Sequence, residues 1–497
     1  MATEPELAPR PTSIRGDDNG ASRPHRAIKP ASNTIASWLL FAVVILAPLP
    51  FGSVDALALV GWCLILGLAL STASLRAVNR RQLLVIACVA FVAGCYLLVL
   101  HEQVAGQPLL SFARPDPIWR SASDALGAAV PPSVSLVRDL PILAVGAPAA
   151  AILCLLVSFI VCVDRRRARQ LLMVVAWSGT AYAVYGIAAF VIDPGRVLWM
   201  PKQAYFTVLT STFINRNTAA VYFGSSAIVW LLLLWQDLPP RPFRQAGPSR
   251  SVIPEALQRL RDVSTVHFLA FFACVGAMFL TGSRAGVLLS LLVGALAMAG
   301  LGWKAISSGG RHLWIVMAAA AGVSIILVQL LGAGVIGRLD SEGLAGGGRL
   351  DTYRSTLEII RDHPWLGTGL GTFAWAYPAY RSNDLTSWGI WDRAHSTPLE
   401  IASDMGLPLA AVVIAGWAAA FAGLVFGLRT RNRDQIVMIA ALAIAGLGIL
   451  HSLIDFSLQI PGFSLMVFSL LGAGLAQSFA RPPRVAIEQP STSSGGA

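Results

Sequence analysis

The chain has 497 residues, 55% hydrophobic and only 13% charged, a balance too apolar for the surface of a soluble protein. Its formal net charge of +11 is divided into short basic clusters between apolar runs, with no helix-turn-helix, zinc-finger or RNP-type pattern beside them, which argues against nucleic-acid binding. All six cysteines (Cys63, Cys88, Cys95, Cys154, Cys162 and Cys274) fall within apolar runs, so neither a disulfide framework nor a thiolate metal site is implied.

Residues 1–34 are polar and rich in Arg and Pro, and read as a disordered cytoplasmic tail ahead of an uncleaved anchor. Apolar runs then follow at 35–51, 54–74, 83–100, 142–163, 171–192, 217–236, 266–280, 284–302, 313–335, 406–428, 436–453 and 462–480. A helix rises about 1.5 Å per residue, so runs of this length match about 30 Å of hydrocarbon. The expected fold is therefore an all-α integral membrane domain over 35–480 with about twelve transmembrane helices, closed by a second disordered cytoplasmic tail at 481–497.

Alternate connections carry the dense basic clusters: Arg76, Arg80 and Arg81; Arg165, Arg166, Arg167 and Arg169; Arg241, Arg244, Arg250, Arg259 and Arg261; Lys304 and Arg311; Arg429, Arg431 and Arg433; Arg481 and Arg484. The positive-inside rule assigns these faces, and both termini, to the cytoplasm. The outer face then holds the segments 101–141, 193–216, 281–284 and 336–405. Within the last of these, Leu350, Tyr353, Leu357 and Ile360 recur with helical spacing, which predicts an amphipathic helix on the membrane surface, ending before Pro364.

Ionisable residues are nearly absent from the expected spans, so the chemistry belongs to the outer segments. Three arginines stand there against the positive-inside bias: Arg216 in Phe-Ile-Asn-Arg-Asn, Arg284 in Thr-Gly-Ser-Arg-Ala-Gly, and Arg349 after a run of glycines. One such arginine alone is most simply an interfacial anchor. Three together suit a lipid-borne pyrophosphate, because guanidinium groups bind phosphate oxygens bidentately and keep their charge, and Asn215, Asn217 and Ser283 stand beside them as neutral donors.

His395, in Arg-Ala-His-Ser-Thr-Pro, has the residue type for a general base acting on a sugar hydroxyl near neutral pH. His363 is a weaker candidate, since the following Pro364 and the glycines of 367–371 read first as a helix stop. That glycine run lacks the P-loop lysine and a strand-to-helix setting, so it is no nucleotide motif. His451 and Asp455, spaced i and i+4, are either a structural hydrogen bond or a wall of the site. No metal-ligand spacing occurs in an outer loop, and no cofactor is expected.

From about Phe213 to Pro461 these pieces together resemble the O-antigen ligase and polymerase superfamily. The resemblance rests on Phe213-Ile-Asn-Arg-Asn, Thr281-Gly-Ser-Arg-Ala-Gly, Gly348-Arg-Leu, Asp362-His-Pro-Trp-Leu-Gly-Thr-Gly and Ala394-His-Ser-Thr-Pro-Leu-Glu-Ile-Ala-Ser-Asp-Met-Gly, in that order. It implies a GT-C-like membrane glycosyltransferase of the bacterial inner membrane. The implied donor is a polyprenyl-pyrophosphate-linked glycan, the implied acceptor a glycan or lipid A-core hydroxyl on the periplasmic side, and the implied chemistry needs no metal. It further implies that Arg216, Arg284 and Arg349 hold the pyrophosphate and that His395 activates the acceptor. Ser396 departs from the Asn often found beside that histidine, which leaves an auxiliary contact to the acceptor open. Protein O-oligosaccharyltransfer shares the donor chemistry and stays an alternative. A secondary transporter shares the span count, but its polar residues belong near the membrane midplane and not in one outer loop.

Overall fold

The computed structural model describes residues 33–237, 265–306, 348–382, 391–431 and 435–480. In chain order its α-helices are α1 (Thr34–Leu46), α2 (Ala56–Thr72), α3 (Arg80–Val104), α4 (Ile118–Leu126), α5 (Leu140–Ala144), α6 (Gly146–Val161), α7 (Arg165–Ile192) and α8 (Arg216–Asp237). They continue as α9 (Thr265–Leu280), α10 (Arg284–Ile306), α11 (Arg349–Asp362), α12 (Phe373–Tyr380), α13 (Thr397–Met405), α14 (Leu407–Thr430), α15 (Gln435–Ser452) and α16 (Pro461–Ser478). A two-residue antiparallel pair, Arg196–Val197 with Met200–Pro201, makes the one small sheet among the described residues.

Among the described residues, eight helical stretches, α3, α5 with α6, α7, α8, α10, α14, α15 and α16, are long and apolar enough to cross a membrane, and α1, α2 and α9 are shorter apolar helices. Together they occupy every expected span except 313–335, which lies outside the described residues. So do 1–32 and 481–497, the basic clusters at 241–261, and Arg311 and Arg433. The helices begin where short polar side chains satisfy free backbone N–H groups: Asp55 accepts from Leu57, Asp164 from Arg166, and Asn79 forms a reciprocal capping box with Gln82.

Burial orders the bundle. The apolar stretch of α16 is 94% buried, whereas that of α3 is 0% buried, so α16 is the axis and α3 faces the surroundings. Close approach to the axis needs small residues: a Cβ at Gly472 would lie 2.5 Å from the Leu155 carbonyl oxygen of α6. Side-chain amides tie the helix ends on one side of the bundle, with Gln82 Nε2 donating to the Ala476 carbonyl (2.9 Å), Asn79 Nδ2 to that of Phe479 (2.7 Å) and Gln477 Nε2 to that of Cys162 (2.6 Å). Arg76, Arg80, Arg81, Arg165–Arg169 and Arg431 all belong to this end.

The opposite end gathers 104–140, 192–216, 280–284, 349–382, 391–406 and 452–461. Gln103, fully buried, holds two of these segments together: its Nε2 donates to the carbonyls of Leu366 (2.6 Å) and Asp404 (2.7 Å), and its Oε1 accepts from Leu370 N (3.0 Å). Leu136 N also donates to the Thr368 carbonyl at 2.9 Å. The glycine run is part of this seam. Gly367 sits at φ 68° with its α-carbon pressed on the Asp404 backbone, where a Cβ would fall 2.3 Å from the carbonyl carbon. Gly367→Ala is expected to destabilise the protein by at least about 1 kcal/mol, read as a lower melting temperature in detergent, because left-handed backbone strain and the overlap act together.

α11 lies where the amphipathic helix was expected and ends at Asp362, ahead of Pro364. Its packed face differs from the apolar stripe. Thr352, Ser355, Thr356, Ile359 and Ile360 are buried, while Leu350 and Leu357 are exposed. The small hydroxyl residues fit against neighbouring helices, with Thr352 and Thr356 bonding back to the carbonyls of Gly348 and Thr352, so their polarity does not keep them at the surface.

Candidate active site

The site forms where α8, α10, α11 and the turn between α15 and α16 meet. Asn215 caps α8, its Oδ1 accepting from the backbone N–H of Asn217 (2.7 Å) and Thr218 (3.4 Å), so its amide oxygen is spent on the helix start. That cap aims Asn217 inward, where its Nδ2 donates to Asp455 Oδ2 (2.5 Å) and its Oδ1 accepts from the Ser283 hydroxyl (2.9 Å). Ser283 in turn accepts from Gly286 N at 3.3 Å, at the start of α10. The two helix starts that carry Arg216 and Arg284 are thus fixed to each other through three polar side chains.

Arg349, the first residue of α11, reaches the same place and donates to Asp455 Oδ2 at 3.4 Å. Arg216, Arg284 and Arg349 line one cleft with Asn217, Ser283, His451 and Asp455. Three guanidinium groups and one carboxylate thus share its lining. Asp455 is 1% exposed, and it also accepts from Phe456 N at 2.7 Å, so it is the buried hub on which α8, α11 and the α15–α16 turn converge. Arg216 lies over the Tyr205 ring, its guanidinium carbon 5.1 Å from the ring centre, so an aromatic face holds the cation from the 193–216 segment.

His395 adjoins this hub, with Nδ1 3.9 Å from Asp455 Oδ1. Its backbone is left-handed (φ 51°), an uncommon state for a residue other than glycine, and its surroundings hold it there. The Tyr353 hydroxyl donates to the His395 carbonyl (3.0 Å), and Ala394 N donates to Glu400 Oε2 (2.9 Å). Arg393 Nη1 bonds Glu400 Oε1 (3.1 Å) and Gln459 Oε1 (2.8 Å), and the imidazole packs edge-on to Trp391 and Phe456 at 5.4 and 5.1 Å. Burial holds the imidazole below its ordinary pKa of 6.5; Asp455 opposes the shift and Arg349 reinforces it. A neutral ring is the form that accepts a proton.

Among the described residues, buried side-chain atoms without a hydrogen-bond partner include Arg216 Nε and His451 Nε2, whose residues line the cleft, and His395 Nδ1, which is not in that lining but lies 3.9 Å from Asp455. Native interiors leave few such atoms, and a cluster of them marks unmet demand for a ligand. His363 is elsewhere: it follows α11, 3.9 Å from Asp116. Ser396 is buried at the start of α13 and makes no capping bond, and it does not line the cleft. His451 and Asp455 do not bond each other across one turn; His451 Nδ1 meets Ser457 Oγ at 3.0 Å, and both residues line the cleft. Sequence reasoning passed over Tyr205, Arg393 and Glu400. The last two flank His395 as an opposite-charge pair seven residues apart, a signal visible only once the loop is known to fold back on itself.

Among known protein families, residues 269–414 match the one described as O-Antigen ligase. No curated protein matches the chain. The matched stretch contains Arg284, Arg349 and His395, while Arg216, His451 and Asp455 lie outside it. Together with the eight long apolar helices among the described residues, this match points to a multi-pass protein of the bacterial inner membrane and to a ligase- or polymerase-type membrane glycosyltransferase. Over residues 269–414, that match supports the resemblance to the O-antigen ligase and polymerase superfamily read from the sequence.

Proposed function

We propose that the arginine-lined end of the bundle transfers a glycan from a polyprenyl-pyrophosphate carrier to an acceptor hydroxyl at the periplasmic face. The observation that carries this reading is the convergence of Arg216, Arg284 and Arg349 on one cleft beside the neutral imidazole of His395. The orientation follows from the arginine clusters at the other end of the helices, which the positive-inside rule retains in the cytoplasm.

In this mechanism the acceptor oxygen attacks the anomeric carbon as its proton passes to His395. The bond from that carbon to the diphosphate oxygen breaks, and its electron pair stays on the departing lipid diphosphate. Direct displacement inverts the anomeric centre. The growing negative charge meets guanidinium groups already in place, which is where preorganised charge lowers a barrier most. Asp455, close to both Arg349 and His395, compensates the imidazolium as it forms.

The pH profile tests the base. Below its pKa His395 is protonated and inactive, so the acid limb of kcat/KM for glycan transfer is expected below pH 6.5, because burial lowers the group from that value. Asp455→Asn removes the carboxylate that raises this pKa, and the limb is expected to move further to acid. A limb above pH 6.5 in the wild type contradicts the assignment.

Deleting the gene and examining the surface polysaccharide tests the activity itself. A lipid-linked polymer left untransferred identifies a ligase, single lipid-linked repeats identify a polymerase, and unchanged glycans dismiss the proposal. Thiol labelling of single cysteines placed in α11 and α13 checks the orientation: protection from periplasmic reagents places the cleft on the wrong side.

A further inference from the structure

His451 closes the last turn of α15, is fully buried, and lines the same cleft as the three arginines. Its Nδ1 is 3.0 Å from Ser457 Oγ, and Ser457 Oγ is 3.2 Å from Thr218 Oγ1. Its other ring nitrogen, Nε2, is buried with no hydrogen-bond partner. The ring is therefore anchored on one side and unmet on the other. A buried polar atom of this kind is costly to keep unless something binds it.

The three-residue relay sets the polarity. If the Thr218 hydroxyl donates to Ser457 and the Ser457 hydroxyl donates to Nδ1, the imidazole proton resides on Nε2. No guanidinium hydrogen bond reaches Nε2, so a lone pair there would have no donor, whereas an N–H suits an anion drawn in by the arginines. We infer that His451 Nε2–H donates a hydrogen bond to a diphosphate oxygen of the lipid-linked donor, with Ser457 and Thr218 holding the tautomer. The inference rests on the diphosphate reading of the cleft and adds a neutral, directional donor to the charged ones. It also separates the two histidines: His395 takes the acceptor's proton, and His451 grips the leaving group without changing charge.

Inorganic pyrophosphate is the probe, titrated calorimetrically into the purified full-length protein in nanodiscs. His451→Asn keeps an amide near the Nδ1 position, facing Ser457, and leaves nothing at Nε2; pyrophosphate binding is expected to weaken roughly tenfold or more, the effect of a hydrogen bond to a charged group. His451→Gln returns an amide N–H near Nε2 and is expected to stay within about threefold of wild type. In transfer assays the asparagine variant is expected to raise KM for the lipid-linked donor while leaving that for the acceptor unchanged. Ser457→Ala, which frees the tautomer, is expected to weaken pyrophosphate in the same direction and serves if the asparagine variant does not fold. Wild-type affinity in His451→Asn or, should that variant not fold, in Ser457→Ala overturns the inference, as does a glutamine variant as weak as the asparagine one. If Arg284→Ala weakens pyrophosphate binding and His451→Asn does not, the diphosphate site stands and only the role of His451 falls. No binding by the wild type removes both.

Discussion

Alanine at position 395 is expected to reduce glycan transfer by about 10² to 10⁴, the contribution of a positioned general base, equivalent to about 3 to 5 kcal/mol on the barrier. The loss follows from what the loop is built to hold. Tyr353, Arg393 and Glu400 fix the backbone on both sides of His395 at a left-handed angle, and Trp391 and Phe456 fix the ring. The loop bonds of Tyr353, Arg393 and Glu400 do not involve the imidazole, so the variant is expected to insert and fold although the ring's packing is lost. Transfer at the wild-type rate by His395→Ala, measured with purified lipid-linked donor, removes the base from the reaction. Tyr353→Phe gives the finer check: losing one hydrogen bond to the His395 carbonyl is expected to cost a smaller factor, by loosening the ring's position.

The helical architecture was legible because its signal is length. Apolar runs of membrane-crossing size stand out from any single sequence, and basic clusters in alternate connections order them into two ends. The same logic singled out Arg216, Arg284 and Arg349, which line one cleft, whereas His395 was singled out by residue type and lies beside Asp455. Rotational detail was not legible. The apolar stripe of α11 suggests an amphipathic surface helix, yet Thr352, Ser355 and Thr356 are buried while Leu350 and Leu357 are exposed, with Thr352 and Thr356 bonding back to carbonyls of the preceding turn. Spacing pairs His451 with Asp455, yet the chain turns at Leu453–Ile454 and sends each to a different partner, Ser457 and Asn217. Asn215 and Asn217 look equivalent in the sequence, and only the helix start decides that one caps and the other faces the cleft. What sequence reports well is which end of the bundle a residue occupies; which side of its helix meets a partner depends on neighbours hundreds of positions away.

Arg284→Ala is expected to cost about 3 to 4 kcal/mol in transition-state stabilisation, a fall in kcat of roughly 10² to 10³, by analogy with removal of one preorganised oxyanion donor. Arg284→Lys separates two physical accounts of the same residue. An interfacial anchor needs only a cation on a long stem, so lysine would restore it in full. A diphosphate clamp needs two N–H groups in one plane, which an ammonium cannot present, so the lysine variant is expected to recover charge and steering but to remain well below wild-type turnover. The double variant Arg216→Ala with Arg284→Ala is expected to fall short of the summed single losses, because Asn217 and Ser283 bind the two helix starts into one unit that either change already loosens. Full additivity in that cycle would mean the two arginines act on separate groups, and a single diphosphate could not then be what they share.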